Sequence, residues 1–299
     1  METRALKIGT IFGTGIVKWY YEDTGRIETG LIMKIINIGK DNATFQQIYA
    51  LKENRNKRAQ TKMFFVEGVQ NIKDAISYNW EIEAFIYANN TNLSDWAKSI
   101  LNKANFNYII TPSLMDKLSD KQDISEILAI VKMKNYQNAK YSKNPIFVLI
   151  DRPSKKGNLG TIIRSSDALN VEQIFFSGHS VDIYDHSVIT ASMGSFFKFP
   201  IKFISSNNEF LEVVGKLKEK FPGLRVVATS LQTENCLQDY DFTSPVLLLV
   251  GNETDGLCRF YNEHADDFVK ISMREGIDSL NIACATTACL YEINRQRGF

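Results

Sequence analysis

The sequence has no apolar run of the roughly 18 to 20 residues that a membrane-spanning helix requires. Its first residues, METRALKIG, also lack the basic start and apolar stretch of a secretory signal peptide. Together these absences argue against a membrane protein and against an exported one. We therefore expect a cytoplasmic protein without a membrane partner.

Cysteine and histidine are scarce, with four and three copies in 299 residues. No Cys-x-x-Cys pair occurs, and no histidine stands at the spacing of a zinc site. Cys284 and Cys289 fall in an apolar, helix-like stretch, where a packed thiol is the simplest role. We therefore expect reduced thiols and no structural metal.

An excess of one charge sign is missing as well, because 35 Lys and Arg face 34 Asp and Glu. The formal net charge of +1 does not announce a nucleic-acid partner, so any basic surface has to be local. The hydrophobic share of 44% and the charged share of 23% are ordinary for a globular protein. A length of 299 residues favours two domains.

Residues 1–44 are predicted to form a small β-rich extension. Aromatic and β-branched runs such as Ile16–Tyr21 alternate with glycines, a pattern typical of strands and hairpins. No Gly-Lys-Ser/Thr follows these glycines, so the segment is not a phosphate-binding loop. Its role stays open.

A first α/β domain is predicted over 45–139, because short apolar runs alternate there with helix-like segments. It opens with FQQIYALKENRNKRAQTK, a stretch with a dense basic run made of Lys52, Arg55, Lys57, Arg58 and Lys62. Such a run is either a solvated helix face or a surface that contacts RNA phosphates. The polar stretch 135–145 then reads as a linker.

A second α/β domain is predicted over 140–299, where strand, loop and helix repeat. Its continuous apolar strands are typical of a buried parallel sheet. The predicted strands are 147–150, 173–176, 202–204, 225–228, 246–250 and 268–271. The predicted helices are 161–169, 185–194, 208–220, 262–265 and 281–295.

Three polar loops follow strands of this predicted sheet. Ligands of open parallel sheets bind beyond the carboxyl ends of the strands, so we expect these loops to converge. In chain order they and the helix starts after them carry Asn158, Gly160 and Arg164; Gly251, Asn252 and Glu253; and Ser279 and Asn281. Asn158 and Gly160 are expected to precede a helix.

The third loop leads into a helix of small residues, Asn281 to Glu292. Asp278 and Ser279 before it are residue types that cap helices. A helix this thin lets another backbone approach closely. The stretch is therefore either a packed C-terminal helix or a ligand site at a helix start, where free N–H groups point outward.

The three segments together resemble the SpoU (TrmH-like) branch of the SPOUT RNA methyltransferases. NLGTIIR is similar to the family's N-x-G-x-x-x-R, LLLVGNETDGL to its strand followed by G-x-E-x-x-G, and ISMREGIDSLN to its last block. The resemblance covers 145–297 and, more loosely, 43–133, which is similar to the ribosomal-protein-like RNA-binding domain often fused in front. Thr254 and Ser272 depart from the pattern, which commonly has glycine and proline there.

The resemblance implies an α/β fold with a trefoil knot in the second domain, S-adenosylmethionine as cofactor, and a homodimer whose catalytic arginines serve the partner's site. The implied reaction is methyl transfer to a ribose 2′-hydroxyl of RNA, and the front domain favours ribosomal RNA. Implied cofactor contacts are Thr229, Ser230, Gly251, Asn252, Ile271, Met273 and Leu280.

The resemblance also implies a catalytic role for Arg164. A guanidinium with a pKa above about 12 is a very poor base, so the preferred role is to hold a phosphate or the developing alkoxide. Glu253 would orient Arg164 or Asn158, while Ser279 and Asn281 would hydrogen-bond the ribose or the arginine.

Other interpretations are a non-catalytic RNA-binding protein of the same fold and a transfer-RNA methyltransferase. The presence of every polar residue of the family's site argues against the first. A Rossmann-type enzyme is disfavoured, because no G-x-G-x-x-G follows a first strand.

Overall fold

The computed structural model describes residues 33–120, 123–134, 139–277 and 279–298, with four short strands before them (7–10, 16–20, 22–23 and 26–27). The chain divides into two compact units, Met1–Lys134 and Asn135–Phe299. Each unit has its own sheet and its own hydrophobic core. Among the helices of the described residues, none combines the length and the apolar character needed to cross a membrane.

The first unit begins with strands and continues with alternating helices and strands. Its strands are β1 (Lys7–Thr10), β2 (Ile16–Tyr20), β3 (Glu22–Asp23), β4 (Arg26–Ile27), β5 (Met33–Ile38), β6 (Met63–Glu67), β7 (Ile82–Ala88), β8 (Ala104–Ile110) and β9 (Leu128–Lys132). Its helices are α1 (Ala43–Glu53), α2 (Arg55–Thr61), α3 (Val69–Ser77), α4 (Asp95–Ile100) and α5 (Pro112–Leu118).

The main sheet of this unit has the strand order β1-β2-β5-β8-β7-β9-β6. Strand β5 runs parallel to β8, from Lys34 opposite Phe106 to Ile38 opposite Ile110. The boundary predicted at residue 44 therefore cuts through this sheet, because β5 belongs to the same layer as the strands of the first domain. The partner strand β8 lies about 70 residues later in the chain. Local sequence patterns therefore could not predict that β5 joins this sheet.

Helix α1 packs its apolar stripe into the core of this unit. Phe45, Ile48 and Leu51 are at most 5% exposed. Asn42 caps the start of the helix by accepting a hydrogen bond from the backbone N–H of Phe45. The helix stops at Asn54, whose side chain accepts from Lys57 N and so caps α2. The basic run therefore spans the end of one helix and the whole of the next.

The second unit repeats strand and helix. Its strands are β10 (Ile146–Asp151), β11 (Val171–Ser177), β12 (Ile201–Ile204), β13 (Arg225–Thr229), β14 (Val246–Val250) and β15 (Asp267–Val269). Its helices are α6 (Lys156–Ala168), α7 (His186–Ser192), α8 (Asn207–Lys220), α9 (Arg259–Glu263) and α10 (Ile282–Gln296).

The sheet of the second unit is parallel throughout, in the order β12-β11-β10-β14-β13-β15. The chain builds outward from β10 to β12 and then continues on the other side of β10. Neighbouring strands β10 and β14 thus mark the point where the strand order reverses, which is where open parallel sheets bind ligands. The predicted parallel α/β fold of this domain is confirmed. The trefoil knot stays a prediction.

Helix α6 begins five residues earlier than predicted. It starts at Lys156, so Asn158 and Gly160 lie in its first turns and not in the loop before it. Glycine and asparagine are poor helix formers, which is why the sequence favoured a loop at this place. Packing overrides that preference, because Leu159, Ile162 and Ile163 are fully buried.

Gly160 is the point of closest approach between α6 and α7. A Cβ atom at this position would lie 2.5 Å from Ala191 Cβ and 2.7 Å from the carbonyl oxygen of Val188. Both distances are shorter than real Cβ contacts, and the second atom belongs to the backbone and cannot turn away. The glycine of the N-x-G motif is therefore required by helix packing.

We expect Gly160→Ala to lower the free energy of unfolding by about 1–3 kcal/mol, the usual cost of overfilling a packed core. Gly157→Ala, in the same helix, is the matched control, because no atom lies within 4 Å of a Cβ there. The control should be neutral or slightly stabilising, since alanine favours helix over glycine by up to about 1 kcal/mol. Urea denaturation followed by far-UV circular dichroism measures both changes. Equal stability of the two variants would contradict the packing role.

Candidate active site

A cleft of about 600 Å³ opens at the carboxyl ends of β13 and β14. Its other wall is the irregular segment between β15 and α10. All seven residues predicted to contact the cofactor line this one cleft: Thr229, Ser230, Gly251, Asn252, Ile271, Met273 and Leu280. Glu253 and Ser279 line it as well. The structure thus brings together the loop after β14 and the segment after β15. The sequence could assign both only to the carboxyl edge of the sheet.

The loop 251–257 folds back on itself at the floor of the cleft. Asn252 N donates to Gly256 O at 3.0 Å, and Gly256 N donates to Asn252 O at 3.2 Å. This closure leaves no room at Gly251, where a Cβ would lie 2.3 Å from backbone atoms of Gly256 and Leu257. Thr254, where the family commonly has glycine, does not have a positive φ, so threonine fits there without backbone strain.

A chain of hydrogen bonds links the three predicted motifs. Asn158 Nδ2 donates to Glu253 Oε1 at 3.0 Å, and Asn281 Nδ2 donates to Asn158 Oδ1 at 3.1 Å. Ser154 Oγ donates to the other oxygen of the carboxylate, Glu253 Oε2, at 2.7 Å. Of the two orientations left open for Glu253, the structure shows the contact with Asn158.

Asn281 has a second role at the start of α10. Its Oδ1 accepts from Ala283 N at 2.9 Å, so this side chain caps the helix while its amide group holds Asn158. Ser279 was expected as a capping residue type and does not cap the helix, whereas the capping role that asparagine commonly has is the one Asn281 takes. Asp278, predicted as the companion of Ser279, lies outside the described residues.

The Glu253 carboxyl is held in its ionised form. Partial burial acts to raise its pKa, but the hydrogen bonds from Asn158 and Ser154 outweigh that effect and the pKa lies below its ordinary value of 4.5. Glu253 is therefore a hydrogen-bond acceptor at neutral pH and not a proton donor.

Arg164 does not join this network. It lies six residues after Asn158 on α6, which is about 9 Å further along the helix axis and on another face. The side chain is exposed and does not line the cleft. It shares a helix face with Thr161, which borders a groove of about 650 Å³ along α10. The predicted contacts of Arg164 with Glu253, Ser279 and Asn281 are thus not made within one subunit.

The groove beside Thr161 is lined mainly by one side of α10, with Leu237 and Gln238 on the other side. Ala283, Cys284 and Ala288 of α10 form its floor, and Tyr291, which is 62% exposed, stands at its edge. The groove and the cofactor cleft lie on two sides of the same helix, because Ile282 and Ala285 line the cleft.

Ser154, Asp151 and Arg152 belong to this site although the sequence did not reveal them. Ser154 holds Glu253, and Arg152 Nη2 donates to Gly256 O at 3.1 Å. The hydrogen bond to Asp151 raises the pKa of Arg152, so the guanidinium is firmly charged. Asp151 is the last residue of β10, and Arg152 and Ser154 follow it, beside the end of β14. This position at the carboxyl end of a strand was the sequence signal that could have identified all three as site residues.

The basic run in the first unit is partly a structural feature. Lys52 is 2% exposed, with Nζ 2.6 Å from Asp120 Oδ1. Arg58 is also 2% exposed and donates to the carbonyl oxygens of Leu51 and Lys52 at 3.0 and 2.6 Å. The prediction that Lys52 and Arg58 contact RNA is therefore wrong, because both charges are used inside the fold. Arg55 and Lys62 are exposed and Lys57 is partly so.

Potential metal ligands do not gather in the part of the chain that the structure describes. No group of three or more His, Cys, Asp and Glu side chains there could hold an ion. Cys289 is fully buried in α10, and burial raises the pKa of its thiol to about 12.

Comparison with protein families matches both units. The family described as SpoU rRNA Methylase family matches residues 145–291, and the one described as SpoU L30e-like domain matches residues 42–129. The resemblance drawn from the three motifs is thereby confirmed.

Individual relatives extend the match over most of the chain. A 23S rRNA (uridine(2479)-2'-O)-methyltransferase of Streptomyces viridochromogenes is 36% identical over 260 residues, which are 86% of this chain and 91% of that protein. The crystal structure of the SpoU methyltransferase AviRb of that organism, in complex with AdoMet, has a TM-score of 0.81 at 36% identity and covers 86% of this chain and 98% of that one. An AdoMet-bound rRNA methyltransferase from Sinorhizobium meliloti has a TM-score of 0.76 at 25% identity, with coverage of 87% and 98%.

We expect Ser154→Ala to raise the pKa of Glu253, because the lost hydrogen bond stabilises the carboxylate. A carboxyl whose folded pKa is depressed contributes stability above its ordinary pKa of 4.5, and that contribution disappears as the pH falls through the folded value. Carbon-13 NMR titration of the side-chain carboxyl, assigned with Glu253→Gln, measures the shift. Ser99→Ala is the control, because its hydroxyl bonds only Trp96 O. An unchanged titration of Glu253 in Ser154→Ala would contradict the assigned contact.

Proposed function

The chain belongs to the SpoU rRNA methylase family, and from this premise we propose that it transfers a methyl group from S-adenosylmethionine to a ribose 2′-hydroxyl of ribosomal RNA. One observation carries the proposal: the cleft at the sheet edge is lined by the cofactor loop and adjoined by the hydrogen-bond chain Asn281–Asn158–Glu253. A ribosomal RNA substrate supports a cytoplasmic location.

The cleft suits S-adenosylmethionine in size and in chemistry. Its volume of about 600 Å³ lies in the range of small-molecule sites. Thr229 and Ser230 offer hydroxyl groups, while Ile271 and Leu280 offer apolar surface for a ring. Asn252 also lines the cleft, and its side chain holds the loop by donating to Arg152 O and accepting from Thr254 N and Asp255 N. Gly251 lets the loop backbone form part of the wall itself. These residues would hold the cofactor.

When bound, S-adenosylmethionine supplies a methyl group on a sulfonium that needs no further activation. The protein's task is to align the 2′-hydroxyl and to stabilise the charge that develops on its oxygen. We assign this electrostatic role to Arg164, because a guanidinium can hold a phosphate or an alkoxide through several N–H donors. Glu253 fixes Asn158, and Asn158 with Asn281 and Ser279 presents polar groups to the ribose.

A homodimer would complete the site. Thr161 borders the groove along α10, and Arg164 lies one turn after it on α6, away from the cleft of its own subunit. In a twofold dimer the same surface meets itself, and a partner seated along the groove would bring its own Arg164 towards α10, the helix whose other side lines the cleft. The exposed Tyr291 and the small residues of the groove fit such an apolar contact.

We expect the wild-type protein to transfer tritiated methyl groups to ribosomal RNA in a form that resists alkaline hydrolysis, since that cleavage requires a free 2′-hydroxyl. Arg164→Ala should abolish transfer while cofactor binding, measured by calorimetry, stays nearly unchanged. Arg259→Ala, an exposed arginine of α9, is the matched control and should remain active. Label on transfer RNA alone, or none on any RNA, would contradict the proposed substrate or activity.

The contribution of Arg164 across the dimer has its own test. A heterodimer of Arg164→Ala with Gly251→Val, purified through two affinity tags, contains one site with both an intact cleft and an intact partner arginine. It should show about half the activity of the wild type, although each homodimer is inactive. An inactive heterodimer would mean that Arg164 serves its own subunit.

The first unit is the proposed RNA-binding domain. It matches the SpoU L30e-like domain family, and Arg55, Lys57 and Lys62 follow one another along and just after α2. Lys62 ends that helix in a left-handed conformation with φ 56°, and its side chain is exposed. Cations spaced along one short helix can contact successive phosphates.

We expect charge reversal of Arg55, Lys57 and Lys62 to weaken RNA binding and to flatten its dependence on salt. Each lost phosphate contact should reduce the slope of log K against log salt by about 0.7–0.9. Reversal of Lys98, in α4, and of Lys103, just after it, is the control, with two charges reversed instead of three. Filter binding at several salt concentrations provides the slopes. Equal slopes for the triple variant and the wild type would contradict the RNA contact and support the interpretation of these residues as a solvated helix face.

A further inference from the structure

Asp151 is a buried carboxylate that the proposed chemistry does not use. It ends β10 and is 1% exposed. Oδ2 accepts from Cys258 N at 2.8 Å and from Arg152 Nε and Nη2, both at 3.1 Å, while Oδ1 accepts from Ser177 Oγ at 3.3 Å. This one side chain therefore ties β10 to β11 and to the residue that follows the cofactor loop.

Arg152 extends the same connection into the loop. Its Nη2 donates to Gly256 O at 3.1 Å, and Nη1 lies 3.6 Å from Asp255 Oδ2. Its own carbonyl oxygen accepts from Asn252 Nδ2 at 3.1 Å. Arg152 thus contacts the start of the loop through its backbone carbonyl and the end of the loop through its guanidinium, whose fork also binds Asp151.

The backbone around Arg152 is shaped to accommodate its side chain. Arg152 has φ 49°, a left-handed conformation that is uncommon for residues other than glycine. Gly178 faces it with φ 67°, and a Cβ at Gly178 would lie 2.5 Å from Arg152 Cγ. The strained backbone of Arg152 and the absence of a side chain at Gly178 occur at the same place. Such strain tends to persist where a function requires the conformation, which indicates a functional role for the position of the Arg152 side chain.

We propose that Asp151 and Arg152 are positioning residues that hold the loop 251–257 in the shape that binds S-adenosylmethionine. The inference rests on the proposed function. The loop has little regular structure and is closed by two backbone hydrogen bonds within itself, so its place against the sheet depends on external contacts. Asp151 and Arg152, at the end of β10 and just after it, supply such contacts at both ends of the loop, while Ser154 and Asn158 hold Glu253 in its middle.

A positioning role predicts a specific kinetic pattern. Because Arg152 does not line the cleft, its loss should free the loop without removing a group that contacts the reacting atoms. The Michaelis constant for S-adenosylmethionine should then rise, while kcat at saturating cofactor changes little. A residue that only stabilises the fold would lower the amount of active protein and leave that Michaelis constant unchanged.

The test uses the full-length protein and calorimetric titration with S-adenosylmethionine. Arg152→Ala should weaken binding about tenfold or more, the loss expected for a charged hydrogen bond. Arg152→Lys, which keeps the charge but not the fork, should bind with intermediate affinity. Arg259→Ala, with its side chain 92% exposed on α9, is the control and should bind as the wild type does.

The outcomes are distinct. A wild-type protein that does not bind S-adenosylmethionine overturns the proposed function and this inference with it. A wild type that binds, together with Arg152→Ala and Arg152→Lys that bind equally well, overturns the positioning role alone. If Arg152→Ala does not fold, Arg152→Lys and Gly178→Ala decide: both should raise the Michaelis constant for the cofactor, and an unchanged value in both overturns the inference.

Discussion

The hydrogen bond from Asn158 to Glu253 joins two segments that lie 95 residues apart in the chain. It forms because β10 and β14 are paired in parallel, from Ile146 opposite Val246 to Ile150 opposite Val250, so that the residues after each strand emerge side by side. Asn281 adds the third segment by donating to the same asparagine. Without this junction the cofactor loop, the start of α6 and the start of α10 would have no common point, and the cleft would have no defined polar rim.

The sequence predicted this convergence because a parallel sheet places every strand's carboxyl end at one edge. A motif after a buried strand can therefore be assigned to that edge without knowing the strand order. The family resemblance then assigned Thr229, Gly251 and Ile271 to the cofactor, and all three line one cleft. The start of α6 could not be predicted, because Asn158 and Gly160 are poor helix formers. Their helical conformation depends on packing against other elements such as α7.

Other errors came from partners that only the fold brings together. Lys52 and Arg58 look like neighbours in an exposed basic run, yet inside the fold Lys52 pairs with Asp120 and Arg58 donates to backbone carbonyls of α1. Arg152 could not be identified from the sequence for the same reason. Its role depends on hydrogen bonds with Asp151 beside it and with the loop more than a hundred residues later. A charged residue in a sequence indicates which groups its side chain can bind. Only the folded structure shows whether that side chain is already paired within the protein.

Helix α6 carries Asn158 near its beginning and Arg164 two turns later, and Gly160 between them is pressed against α7. Leu159, Ile162 and Ile163 are fully buried as well, so the packing of this stretch fixes the spacing between Asn158 and Arg164. In the proposed dimer that exchanges arginines, the two ends of the helix would belong to two different reaction centres. A single substitution that displaces the helix would therefore disturb both centres at once.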